Sequence, residues 1–298
     1  MSTLLRLSCV VVLAGSIQVG ASPSETPDYW SHIQSLAEPD TPEQNLELIH
    51  YVKSLTPDEL LTAARQGCVA GRNKPSLTLE WERAAAAQSN ALLCFEFYFS
   101  ALVDDEGGGN LLNVMTPKLI NMCGDQGEAL CLRCAIVARI ASSPNTTFTS
   151  KLRAYVDAHL DEVDAILNKI LGDPRQNALL RQEAMHALSS LLGRQVGAVC
   201  RLDPNVREMR KHTNKALNVG ELVRSGELAL SEDTIKALKP IAARIRANVK
   251  LLGAILADKD KEPESLRKHA RRKLEAYHRS ALTQLDDEIA QALQEAGE

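Results

Sequence analysis

Three times in the 298-residue chain a glutamate is followed three positions later by a histidine: Glu47 and His50, Glu183 and His186, Glu275 and His278. On a helix this spacing puts a carboxylate and an imidazole on one face. Two such pairs with two further glutamates build a carboxylate-rich di-iron centre between facing helices, which would make the chain a metal-dependent helical enzyme. The surroundings argue against it. Glu183 and His186 fall off the apolar stripe of Leu180, Ala184, Ala187 and Leu191, whereas bundle ligands must point inward, so a solvated helix face is expected for these pairs. Cys131 and Cys134 have the spacing of a redox dithiol. Ala135 follows them where covalent haem attachment needs His, no second Cys/His pair has zinc spacing, and no β-α-β pattern surrounds them. Packing or a structural disulfide is the plainer expectation, with a thiol redox protein as the alternative.

Other chemistries leave no trace. The chain lacks His-Glu-x-x-His, Gly-x-Ser-x-Gly and a phosphate loop, which removes common zinc, serine and nucleotide mechanisms. No cofactor is expected. The strongest non-catalytic feature is a charge asymmetry. Residues 231–280 carry 13 Lys and Arg against 7 Asp and Glu, while residues 281–298 carry five acids and no base, in a chain of net charge −4. The densest segment holds Arg267, Lys268, Arg271, Arg272 and Lys273. It lies early in its expected helix, where the macrodipole disfavours cations. Helix self-stabilisation therefore does not account for it; a solvated face or an intramolecular match to the acidic remainder is the plainer expectation, with a surface for an acidic protein or peptide, an anionic lipid or an envelope polymer as the alternative. Nucleic acid is not expected, because only 4% of the residues are aromatic and available to stack on bases.

The elements that must position these residues read as helices throughout. Apolar residues recur at helical spacing and strand-like alternation is absent; a chain rich in Ala and Leu and poor in aromatics favours helix for the same reason. Thr41-Pro42 and Thr56-Pro57, each followed by acidic or amide residues, mark two helix starts. Helices are expected near 42–54, 57–70, 78–103, 127–142, 148–171, 176–193 and 204–218. An acidic Gly-rich loop is expected at 104–109, and short helices broken at Thr116-Pro117. Residues 232–257 and 263–295 carry stripes (Leu238, Ile241, Ile245, Val249, Leu252, Leu256; then Leu266, Ala270, Leu274, Tyr277, Ala281, Leu285, Ile289) that predict a long antiparallel helical hairpin. Pro240 is expected to kink or begin its first arm.

An internal echo links Leu132-Arg133 with Leu180-Arg181, 48 residues apart, each preceded by a Gly-Asp pair, Gly124-Asp125 and Gly172-Asp173. A fainter copy stands at Leu266-Arg267. The distance is near the period of two-helix repeats. The segment from Asp173-Pro174 through Leu180-Arg181-Gln182-Glu183-Ala184 to Ala187-Leu188 resembles the second helix of a HEAT repeat. That resemblance implies an irregular helical stack over residues 41–220 whose task is binding a protein or peptide, with polar positions near Arg181 on the binding face. It transfers no catalytic residue.

The N-terminus, with Arg6, an apolar run from Leu7 to Ile17 and small residues up to Ala21, reads as a secretory signal cleaved near Ala21. The run is about half the roughly 20 residues that span a bilayer, and no transmembrane segment is expected in the mature chain. A leader and first short helix are expected over 22–40. Of seven cysteines, Cys9 leaves with the signal; the other six allow three disulfides in an oxidising compartment, or pack as small apolar groups. The sequence thus predicts an exported, periplasmic or extracellular, all-α protein: a HEAT-like stack followed by a basic hairpin over 231–296, acting as a non-enzymatic interaction or scaffold protein.

Overall fold

The computed structural model describes residues 27–37, 42–102, 108–142, 144–212, 217–278, 282 and 286–295. The expected signal segment, Cys9, the expected Thr41 cap and most of the expected 104–109 loop lie outside them. Among the described residues the fold is all-α, with fourteen helices: α1 Tyr29–Ala37, α2 Pro42–Ser54, α3 Pro57–Arg72, α4 Glu80–Leu102, α5 Gly108–Gly124, α6 Leu130–Ile140, α7 Thr147–Ala158, α8 Leu160–Gly172, α9 Ala178–Leu202, α10 Pro204–Lys211, α11 Val219–Arg224, α12 Glu232–Ala257, α13 Glu264–His278 and α14 Asp286–Glu295. No helix of the described residues is long and apolar enough to cross a membrane. The chain divides into two compact units, residues 1–166 and 167–298. The division falls inside α8, not in the 220–231 connection, because α9 packs against α12 and α13.

In the first unit α4 is the central helix, touching α2, α3, α5, α6 and α7. It buries Phe95 and Phe99 against Phe148 of α7, with ring centroids 5.6 and 4.9 Å apart, the second pair in an edge-on geometry that suits aromatic quadrupoles. The α3–α4 contact is close enough to require glycine: a Cβ at Gly71 would stand 2.5 Å from the Ala87 backbone nitrogen. Thr56 begins α3 as its sequence predicts. Its hydroxyl accepts from the Glu59 N–H while Glu59 accepts from the Thr56 N–H at 2.7 Å, a reciprocal capping box.

Two breaks differ from expectation. Helix α5 begins at Gly108 and runs through Pro117 without stopping. Leu112, Met115, Leu119 and Ile120 on both sides of the proline are buried, and that burial outweighs one lost backbone bond. The expected helix 148–171 is instead two, parted at His159, whose backbone N–H and ring Nδ1 both meet the Tyr155 carbonyl, at 2.9 and 3.0 Å. The ring also stacks on Tyr155 at 4.0 Å.

The internal echo has a structural counterpart. Arg133 and Arg181, both buried to 4% and 3% exposure, donate Nε to the carbonyls of Cys123 and Leu171, each at 2.9 Å and each ten residues back. These carbonyls belong to the last turns of α5 and α8, where acceptors lack intrahelical donors. The turns between are also alike: Asp125 accepts from the Gly127 N–H and Asp173 from the Arg175 N–H. Arg181 goes further, gripping both carboxylate oxygens of Glu262 at 2.5 and 2.7 Å. The expectation that Arg181 lies on a partner-binding face is therefore corrected, since its guanidinium is used up inside the second unit.

In that unit the stripe of α12 is buried as expected, as are Leu266, Ala270, Leu274 and Tyr277 of α13. The second arm does not run on to 295. Arg246 pairs with Glu288, and a Cβ at Gly253 would meet Ala292 at 3.2 Å. Those numbers rise together, so α14 runs in the same direction as α12. Pro240 sits inside α12, which starts eight residues earlier behind a Ser231 cap. Asp203, fully buried, joins the end of α9 to that cap: it accepts from the Val206 N–H and from the N–H and hydroxyl of Ser231. Against the penalty of burial, these donors and Thr234 hold its carboxyl at about 2.

Replacing Arg181 with Ala strands a buried carboxylate and a buried carbonyl, and should cost about 3–5 kcal/mol in chemical denaturation of the full chain. Arg175→Ala, which removes an exposed pair with Asp173, should leave the midpoint in place. Equal effects would show that the Arg181 bonds do not hold the unit together.

Candidate functional site

Helix α13 follows a turn closed by Asp258, which accepts from the Lys261 N–H and whose carbonyl takes the Glu262 N–H. Because Leu266, Ala270, Leu274 and Tyr277 all face the core, the basic residues between them are distributed over the remaining circumference. Lys268, Arg271 and Arg272 are exposed; Arg267 and Lys273 are half-buried. Arg267 donates to the Glu262 carbonyl at 3.3 Å and Lys268 pairs with Glu264 at 2.6 Å. Among the described residues, neither Arg271 nor Arg272 has an ion-pair partner.

The half-buried side of α13 meets α9. Lys273 Nζ lies 2.9 Å from His186 Nδ1. An ammonium can only donate, so the imidazole accepts and carries its proton on Nε2. Glu183, one turn from His186, and His269, one turn from Lys273, complete the seam. Burial raises Glu183, with Lys273 pulling the other way. His186 is exposed, yet partial desolvation beside α13 depresses it, reinforced by the positive charge of Lys273 and by His269. His269 is lowered by burial, Lys273 and Arg272, and Lys273 by burial against the attraction of Glu183. One carboxylate thus serves a seam crowded with groups that are or could become cations.

The other sequence-predicted residues stand apart from it. Glu47 and His50 are exposed on α2, and Glu275 is exposed on α13; the His278 side chain lies outside the described residues. Among the described residues no group of three or more His, Cys, Asp or Glu is arranged to hold a metal ion, so Glu47, His50, Glu183, His186 and Glu275 are not gathered as ligands there. Glu183 departs from a solvated face in being half-buried. Cys68, Cys94, Cys123, Cys131, Cys134 and Cys200 form no disulfide with one another. Cys134 is fully buried, and the thiol that acts on Cys131 belongs to Cys68 of α3. His269, Glu262 and Cys68 escaped the sequence reading. His269 had a usable signal, four residues before Lys273, whereas Glu262 and Cys68 are 81 and 63 positions from the residues they meet.

No protein-family model and no curated protein matches this sequence. The site must therefore be read from its own chemistry.

A histidine depressed in the folded state binds fewer protons there than in the unfolded chain. The His186 contribution is thus intact above its unfolded value near 6.5 and is lost as pH falls from there through the lower folded value. Glu183, being raised, works in the opposite sense as pH rises from its unfolded value near 4.5, so single imidazoles should be followed by NMR. His186 should titrate below 6.5, and Lys273→Met should move it back upward. A His186 midpoint at or above 6.5 that ignores the substitution would contradict the seam.

Proposed function

We propose that the chain is a non-enzymatic interaction protein that captures an acidic protein or peptide on the exposed face of α13. The observation carrying this reading is the pair Arg271 and Arg272, exposed and without an acidic partner among the described residues, on a chain of net charge −4. An acidic chain that concentrates positive charge on one helix gives a segment-specific field, which steers anionic partners and repels like-charged surfaces elsewhere.

The Arg133 and Arg181 turns support a repeat-like construction related in spirit to HEAT arrays, in which stacked helices bury a shared core and leave a face free for a partner. The leader supports an exported chain working in the periplasm or outside the cell. The proposed surface differs from the one the sequence suggested. Lys268, Arg271 and Arg272 form it, Arg267 and Lys273 lend charge from the flanks, and Arg181 is inside.

Binding of an immobilised acidic peptide such as polyglutamate tests the reading. The triple change Lys268→Gln, Arg271→Gln, Arg272→Gln removes three exposed charges. At about 0.5 kcal/mol each it should weaken binding about tenfold and flatten its dependence on salt. Unaltered affinity and salt dependence would remove α13 from the function; equal binding to anionic vesicles but not to the peptide would replace the protein partner by a membrane surface.

A further inference from the structure

We propose that Cys131 is the reactive thiol of a redox site and Cys68 its resolving partner, so that oxidation by a hydroperoxide joins α3 to α6 through a Cys68–Cys131 disulfide. The inference is independent of the acidic-partner reading and differs from the Cys131–Cys134 dithiol that the sequence spacing suggests.

The placement is fixed by more than the two sulfurs. Arg65, Cys68 and Arg72 follow one another at intervals of three and four along α3 and share a face. Glu128 and Cys131 are three residues apart across the start of α6. Arg65 holds Glu128 with both oxygens, Nε at 3.0 and 3.2 Å and Nη2 at 2.6 Å, and Glu128 is only 8% exposed at its side chain. Glu128 is tied in turn to the Ala129 N–H at 3.0 Å. This ion pair locks the register of α3 against the start of α6, and one turn further along each element stand Cys68 and Cys131, near enough for each thiol to act on the other.

The two thiols are chemically unequal. Cys68 is buried to 2% exposure, while Cys131 retains access to solvent. Cys131 is the second residue of α6, where free backbone N–H groups favour an anion. Its thiol is lowered by the hydrogen bond from Cys68, with burial opposing and with Arg72 and the Leu132 and Cys131 N–H groups assisting. The same bond, together with burial, pushes Cys68 up. Burial pushes Cys94 and Cys123 up to about 12, leaving them as inert thiols. A metal does not explain the cluster, since no three-ligand group is arranged among the described residues.

The step balances with the peroxide as oxidant. The Cys131 thiolate attacks the terminal peroxide oxygen; the S–O bond forms, the O–O bond breaks, and the leaving alkoxide takes a proton to become an alcohol, or water from hydrogen peroxide. The sulfenic acid on Cys131 is then attacked by the Cys68 sulfur. The S–S bond forms, the S–O bond breaks, and hydroxide leaves as water with the Cys68 proton.

The test is to treat the reduced full chain with hydrogen peroxide, alkylate the remaining thiols, and identify linked peptides by mass spectrometry without reduction. The expected product is a single Cys68–Cys131 link, with Cys94, Cys123 and Cys134 alkylated after unfolding. In Cys68→Ser, oxidation should stop at a Cys131 sulfenic acid that dimedone traps; in Cys131→Ser, neither product should form. In the wild-type chain, which needs no variant to fold, the alkylation rate of Cys131 should rise with a pH midpoint below the ~8.5 of a free thiol. A Cys131–Cys134 link, trapping at another cysteine, or no oxidation of the folded chain would overturn the proposal.

Discussion

A guanidinium buried in a protein interior must find acceptors for its donors or cost more than its packing returns, and the second unit is arranged around meeting that demand for Arg181. Its Nε closes the exposed carbonyl end of α8, and its two terminal nitrogens take both oxygens of Glu262 in the turn before α13. One side chain therefore fixes three things: where α8 ends, how α9 departs from it, and where α13 begins. Arg133 repeats the first two in the other unit. Bidentate geometry suits arginine and not lysine, whose ammonium offers no planar fork.

With the start of α13 set by Glu262, its apolar positions dictate the rest. Leu266, Ala270, Leu274 and Tyr277 occupy the core side, so the bases interspersed among them divide between open solvent and the α9 seam. The two populations have different physics. Arg271 and Arg272 are hydrated charges whose influence reaches about one Debye length. Lys273 is partly desolvated and held by a neutral imidazole, an arrangement that sustains one cation at that place and discourages a second. The helix is consequently a charged surface on one side and a titratable seam on the other.

Much of the architecture was legible because it depends on local patterning. The helix starts at Thr56 and Pro42 and the stripes of α12 and α13 stand where periodicity and capping residues put them. The errors arose where distant residues decided the outcome. A stripe of period near 3.6 reads the same along one long helix as along two that fold back with matching faces, so the reversal into α14 left no mark. Pro117 announces a break by its own chemistry, but burial of Leu112 and Leu119 overrides it. The echo around Arg133 and Arg181 was visible as a spacing, but the place of Arg181 was not: the same Leu-Arg pattern serves an exposed contact or a buried tie, and only Leu171 and Glu262 distinguish them. For the site, the exposed bases could be found by counting charges. Partners such as Cys68 and His269 acquire significance only when folding brings their helices together.

The proposed capture of an acidic partner depends on unneutralised charge along α13. Amide hydrogen exchange of the full chain, with and without polyglutamate at low ionic strength, tests this by location. Slower exchange concentrated in residues 264–278 and abolished by added salt is the predicted result. Protection centred on any other helix, or no protection while the peptide is bound, would contradict it.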